Sequence, residues 1–393
     1  MRSLGWPGAG VVLVTQPPSG PALSSREARP IRRAVELLVV LSMLAFVVTL
    51  YGCGGSGGAT GPSEGPTGKP SGASYHANLI GQGTCWALSN QATESGKEVV
   101  YIGGWSGVNL ATIWRVELPA TPGGSPTVTS NPITTGEIYD VDESGRAVGY
   151  AQGAHPLPLY YDGTTPVTLP LGDGVGGIAM ELGRAGDKVR IAGKVVRPVG
   201  ATEVQMAALW EFARTDLPPN PIILGPTDGT SSLAWSIRDT QTPTLIAGSL
   251  QDDGPYTAGL WTQAGEALTW AAFGSGRPHD MNSVGQVLVC FGGTVTPTGC
   301  YLWHDGTTVP LQKLSKSKYN YWYPWRLNDL GASVGKASIM GTSTQAAVLW
   351  SKTGEASDLS KLAGVSLGWA GGINNSGQVV ANGAAGMYLL TPR

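Results

Sequence analysis

From residue 75 to the end of the chain, apolar residues come in runs of strand length broken by Gly, Pro, Asn or Asp. No run is long or periodic enough for a helix. The runs repeat. One apolar residue, a polar turn carrying Gly, a second apolar run and a closing Gly make up Val141-Asp142-Glu143-Ser144-Gly145-Arg146-Ala147-Val148-Gly149. The same order returns at residues 281–289, 327–335 and 373–381, with weaker copies at 88–103, 185–193 and 237–248, which makes seven copies.

The last apolar run of each unit ends on an aromatic pair or mark, as in Ile113-Trp114, Tyr160-Tyr161, Leu209-Trp210, Leu260-Trp261, Leu302-Trp303, Leu349-Trp350 and Tyr388-Leu389. These marks stand roughly 40 to 50 residues apart, the length of one four-stranded propeller blade. The pattern predicts an all-β fold, a seven-bladed β-propeller over residues 75–393. In that fold the recurring Trp of the final strand fills the wedge between blades. Turns such as Glu143-Ser144-Gly145 need the positive φ that Gly takes without steric cost. Gly149, Gly193, Gly248 and Gly335 are expected where blades crowd near the axis. Strand material at both ends, residues 75–80 and 387–390, predicts one shared blade that closes the ring and removes its edges. An open β-solenoid or two smaller sheets is the other architecture that such units allow.

Units of the form apolar-Asn-x-x-Gly-x-Val-Val-Gly, followed some residues later by Ala-x-Leu-Trp, resemble the HAF-type extracellular repeat of bacterial surface proteins. The match lies in Ile373-Asn374-Asn375-Ser376-Gly377-Gln378-Val379-Val380, in Leu327-Asn328-Asp329-Leu330-Gly331 and in Ala346-Ala347-Val348-Leu349-Trp350. It runs over residues 75–391, with units three and four degenerate. The resemblance implies export and a repeat fold, and it brings no shared catalytic residues.

Upstream of the repeats, Arg26, Arg29, Arg32 and Arg33 precede an apolar run of 14 residues, 37–50. That is short of the roughly 20 residues that span a bilayer, so residues 1–52 read as an export signal. The signal ends in Leu50-Tyr51-Gly52-Cys53, which resembles a bacterial lipobox, with Tyr51 bulkier than usual for that box. The resemblance implies that Cys53 is lipidated and tethers the protein to a membrane. An uncleaved membrane anchor is the alternative, and both readings put the repeats outside the cytoplasmic membrane. Residues 53–74 are almost wholly Gly, Ser, Pro and Thr and read as a flexible tether. The expected location is the cell envelope, lipid-anchored at the bacterial outer membrane or cell surface.

Composition narrows the partners. Only 13% of the 393 residues are charged, about half the usual share, and the net charge of -2 offers no basic stripe for nucleic acid. Four Cys and four His, without a C-x-x-C pair, do not make a structural zinc site. Asp140-Val141-Asp142-Glu143-Ser144-Gly145 has the alternating oxygens of a calcium loop, which makes Asp140, Asp142 and Ser144 candidate ligands. A plain hairpin turn accounts for the same residues, since the equivalent Asn374, Asn282 and Asn328 turns lack the carboxylates. No other cofactor is implied.

Tyr319-Asn320-Tyr321-Trp322-Tyr323-Pro324-Trp325 is the densest aromatic run, preceded by Lys313, Lys316 and Lys318. Trp325 aligns with Trp235 and Trp369 as a core position of its strand. Tyr319, Tyr321, Trp322, Tyr323 and Lys318 are a candidate surface for stacking on sugars or a partner's side chains, with packing between strands as the competing reading. Cys290 and Cys300 fall on adjacent predicted strands and are expected to form a cross-strand disulfide in an exported protein. Cys85 reads as a small buried apolar residue. His279-Asp280 invites a catalytic dyad, but neighbours in a strand point to opposite faces. No nucleophile elbow, recognisable carboxylate pair or sialidase box occurs. The expected function is a binding or scaffold module for a protein or polysaccharide. A glycan-active hydrolase or lyase at the propeller channel and an inert spacer are the alternatives.

Overall fold

The computed structural model describes residues 75–393 apart from 122, 185, 227–229, 252–254, 293–296 and 315–317. The expected export signal, Cys53 and the expected tether lie outside the described residues. Among the described residues no helix is long and apolar enough to cross a membrane. The helix found there is a single short turn, Leu359–Ala363, capped by Asp358 and closed by Gly364 at φ 71°.

The remaining regular structure is antiparallel strand in six hydrogen-bonded sheets, five of four strands and one of eight. The arrangement is all-β and propeller-like. The eight-stranded sheet arises because one strand, Thr127–Val141, serves two repeat units. Its residues up to Thr135 pair with Leu110–Glu117, and those from Gly136 onward pair with Ala147–Ala151. The change of partner falls at Gly136, whose φ of 144° would strain any side chain, and where a Cβ would stand 1.9 Å from the Tyr150 carbonyl oxygen. The seven sequence units therefore occupy six sheets.

Within a unit the strands follow one another across the sheet, and the aromatic mark sits on the third strand, not the last. An outer strand follows it, in some units as short as Pro166–Thr168 or Ile222–Ile223 and too brief to register in the apolar pattern. The last unit takes its outer strand from the other end of the region. Tyr75–Gly81 pairs with Gly386–Pro392, placing Tyr75 opposite Pro392 and Leu79 opposite Tyr388. The first strands of successive units touch one another, and Leu367–Ile373 of the seventh touches Thr84–Leu88 of the first.

The sheets are joined by their faces. Trp210, Trp261 and Trp350 are fully buried. Trp210 packs with Val148, Tyr160 and Leu169 of unit two and donates its Nε1 hydrogen to the Pro170 carbonyl at 2.8 Å. Trp350 donates to the Gln312 carbonyl of unit five at 2.8 Å. Burying roughly 150–250 Å² of indole at about 25 cal/mol per Å² is worth about 4–6 kcal/mol, and the bond to the neighbouring unit fixes the ring's orientation.

The crowded glycines are crowded for a different reason than blade contact. A Cβ would stand 1.9 Å from the Glu137 carbonyl oxygen at Gly149, 2.2 Å from that of Ile178 at Gly193, 2.3 Å from that of Leu233 at Gly248 and 2.1 Å from that of Tyr323 at Gly335. Each obstructing carbonyl belongs to the first strand of the same sheet, two residues before an irregularity that presses that strand against the second. The polar turns match expectation, with Gly145, Gly285, Gly331 and Gly377 at φ between 73° and 85°.

Candidate functional site

In every unit the pairing of the first strand with the second slips two positions before the apolar anchor of the repeat. The slips fall at Trp86, Tyr139, Met180, Trp235, His279, Trp325 and Gly371. A bulge sets two residues against one and re-aims their side chains. Here the re-aimed residues are mostly aromatic, and they meet. Trp86 lies 6.1 Å from Tyr139, 5.3 Å from Trp325 and 4.3 Å from Trp369 between ring centroids. His279 lies 5.8 Å from both Trp235 and Trp325. Trp235 and Trp325 share the bulge position, whereas Trp369 stands two residues ahead of it and fills the place left by Gly371. The alignment of all three as one strand-core position is thus corrected.

On the turn side of this ring cluster, residues at and around the anchors, chiefly those one before and two after them, line a cavity of about 310 Å³ to which all seven units contribute. It carries the carboxyl groups of Asp140, Glu143, Glu181, Asp239, Asp280 and Asp329 and the guanidinium groups of Arg184, Arg238 and Arg326. Most of them are tied to a neighbouring unit. Ser283 N donates to Asp329 Oδ1 at 2.7 Å, Asp329 N to Asn375 Oδ1 at 2.9 Å and Asn375 N to Asn90 Oδ1 at 2.9 Å. Asn90 Nδ2 donates to Glu143 Oε1 at 3.0 Å, and Arg184 N donates to Asp239 Oδ1 at 2.8 Å. The Arg184 guanidinium reaches Asp140 at 2.9 Å and Glu143 at 3.6 Å.

A second belt runs through the motif Asn itself. Asn282 Nδ2 donates to the Asn328 carbonyl at 3.0 Å, Asn328 Nδ2 to that of Asn374 at 3.0 Å, and Asn374 Nδ2 to that of Ser89 at 3.2 Å. Each Oδ1 meanwhile accepts from its own hairpin, from the amides of Gln286, Ala332 and Gln378. An amide supplies both an acceptor and a donor at one position, so Asn suits this place.

Asp280 accepts from Leu327 N at 2.7 Å, and its carboxyl is pushed up, chiefly by burial. Glu181 is 6% exposed, and its Oε2 has no hydrogen-bond partner. Burial first, and then the charges of Asp280 and Asp140, hold its carboxyl well above the ordinary range. His279 is driven down to about 3 by burial and then by Arg277 and Arg326, which leaves the imidazole neutral.

The residues singled out in the sequence fall into separate places. Asp142 accepts from Ser144 N and Arg146 N and pairs with the Arg146 guanidinium, while Asp140 faces Leu182 N and Arg184. Among the described residues no three His, Cys, Asp or Glu side chains stand together as a metal set. His279 lies against Tyr323, and Asp280 turns to Leu327 and Arg326, so the two do not form a dyad. Trp322 is buried against Leu288, Cys300 and Trp350, with Tyr319 packed beside it and Lys313 over its ring at 4.9 Å. Tyr321 and Tyr323 occupy the opposite face of the strand and are half-buried, and Lys318 is exposed. Cys290 and Cys300 are register partners joined through their sulfurs. Cys85 is fully buried, and burial pushes its thiol up to about 12. Glu181, Arg184 and Arg326 were passed over in the sequence. The signal that would have found them is the position just before each anchor, or two after it, once the units are aligned.

No protein-family model and no curated protein matches this chain. Among solved structures there are distant likenesses. One is an acylaminoacyl peptidase of Pyrococcus horikoshii, at TM-score 0.44 and 11% identity, over 79% of this chain and 52% of that one, so this chain spans about half its length. A second is an α-L-arabinanase of Penicillium chrysogenum complexed with arabinobiose, at 0.40 and 10%, over 73% and 98% of the two chains. A third is a triple-arginine mutant of AofleA from Arthrobotrys oligospora, at 0.39 and 9%, over 73% and 90%. Likenesses this remote do not bear on what the chain does.

Proposed function

We propose that this protein is an exported, lipid-anchored recognition module, a closed seven-bladed β-propeller that holds a protein or polysaccharide of the cell envelope at the mouth of its axis. Closure is supported by the sheet shared between the two ends of the repeat region and by the run of first-strand contacts that returns from unit seven to unit one. The Asn328 and Asn374 hairpins keep the resemblance to the HAF-type repeat, and Cys53 is the anchor in this reading.

The observation that carries the function is the polar cavity lined by all seven units. Six carboxyl groups against three guanidinium groups favour a ligand that presents amino or hydroxyl donors. Glu181 Oε2 and Arg238 Nε are buried there without a partner and are the groups left for a ligand. The test is binding of the full chain to an array of neutral, amino-bearing and acidic glycans, repeated with Glu181→Gln and Arg238→Gln. An array ligand should lose about tenfold in affinity in each variant, which is the effect of losing one hydrogen bond of about 1.4 kcal/mol. Unchanged affinity would remove the mouth as the site, and an array without any binder would leave the spacer reading.

One observation favours a second reading. Burial and the neighbouring charges of Asp280 and Asp140 push the Glu181 carboxyl up, the direction that a general acid in glycoside cleavage needs. Release of reducing ends by the natural chain, abolished in Glu181→Gln, would make the module a hydrolase.

A further inference from the structure

The opposite end of the ring cluster carries a different chemistry. Arg277 stands four residues before its anchor, at the far side of the bulge from the carboxylate mouth. Its guanidinium lies 4.0 Å from the Tyr256 ring centroid and 5.5 Å from that of Trp235, and it donates to the Tyr256 hydroxyl at 2.9 Å. Its Nε is buried without a partner. Lys194 comes from the equivalent level of unit three, where it is the register partner of Ile178, and reaches only Gln205 Oε1, at 2.8 Å. Lys336 is the register partner of Tyr323 in unit six, so the two share a face.

No carboxylate among the described residues pairs with Arg277, Lys194 or Lys336. Glu137, at the same level of unit two, is turned to Tyr139 and Tyr150 instead. Arg277 and Lys194 stand at the same level of units five and three, and burial first, then the charge of Arg277, bring the Lys194 amine down to about 8. Two neighbouring, partly buried cations without an anion are unfavourable until an anion arrives. In unit six Tyr321 and Tyr323 stack at 6.2 Å and 21°, half-buried, and Tyr323 packs on His279, the ring that meets Trp235 under Arg277.

We infer that this end of the axis is a second binding site, independent of the carboxylate mouth, that takes an anionic sugar unit of a polysaccharide. The acid group is received by Arg277 and Lys194, and the sugar ring lies on Tyr321 and Tyr323. A guanidinium held in place by Trp235 and Tyr256 presents its fork to a carboxylate or sulfate with little further ordering. The aromatic faces are what distinguish a sugar acid from a free anion.

The test is calorimetric titration of the full chain with trigalacturonate, a sulfated galactotriose, neutral galactotriose and inorganic phosphate. One or both acidic trisaccharides should bind, more weakly as salt rises, and the tighter of them identifies the acid group. Arg277→Gln and Lys194→Gln should each weaken that binding by about tenfold or more, and Tyr321→Ala should weaken the trisaccharide alone. Lys194→Gln stands as the check if Arg277→Gln fails to fold, and Glu181→Gln at the mouth should leave the affinity unchanged. Galactotriose or phosphate binding as tightly as the acidic trisaccharides, acidic binding indifferent to Lys194→Gln, or no acidic binding at all would overturn the inference.

Discussion

His279 sits in a bulge against Trp235, Tyr323 and Trp325, with its imidazole held neutral down to about pH 3. The sign of its effect on stability follows from proton counting. Between about 3 and the ordinary value of 6.5, the unfolded chain binds a proton there that the folded chain does not. The contribution is therefore complete above 6.5 and is lost as pH falls through that window. Glu181 works the other way. Its folded carboxyl keeps a proton that the unfolded chain releases above 4.5, so stability declines as pH rises from there. Urea midpoints measured from pH 3 to pH 8 should show both limbs. His279→Phe should remove about one proton's worth of slope from the acid limb, and Glu181→Gln should flatten the other. Slopes unchanged by these substitutions would mean that neither group is titrated by folding.

Hairpins are the elements that hold neighbouring units together, and the chain uses two chemical versions of one clasp. In units five and seven, Asn282 and Asn374 donate both to the next unit and to Gln286 and Gln378 at 2.7 and 2.8 Å. In unit two, Asp142 and Arg146 stand at the same two places and form an ion pair within the hairpin. Asp has no donor, so this version gives up the Nδ2 bond to the following unit, and the Arg184 bridge to Asp140 and Glu143 links units two and three instead. Asn282→Asp alone should cost about 1–3 kcal/mol, because it removes a buried bond and sets a charge against Gln286. Adding Gln286→Arg should recover part of that, a coupling read from a double-mutant cycle in urea. A strictly additive pair would show that the two positions do not form one clasp. At this scale the sequence was informative where a turn demanded it. The Asn-x-x-Gly spacing announced the hairpins, and the Gly of the second strand announced a close approach. The shortest outer strands, such as Pro166–Thr168 and Ile222–Ile223, stayed hidden because two or three residues carry no alternation to read.

At the scale of the molecule, stability depends on where the repeat region meets itself. Tyr75–Gly81 covers the last sheet, and Tyr75 and Ile80 are buried in clusters that join it to its neighbours. Deleting residues 75–81 should expose Gly386–Pro392 as a bare edge, lower the urea midpoint and cause self-association visible in size-exclusion chromatography. A monodisperse variant of unaltered midpoint would show that the shared sheet contributes nothing.

The sequence alone determined the strand class, the hairpins and the sharing of one sheet by the two ends, because period, turn glycines and apolar alternation act over a few residues. It also placed Cys290 opposite Cys300. What it did not determine is which side chains line the shared cavity. Asp140, Glu181, Asp280 and Arg326 are scattered in sequence and line one cavity only once bulges re-aim each first strand and the units stand side by side. A bulge is a mismatch between two strands, so it has no signature in either strand read by itself.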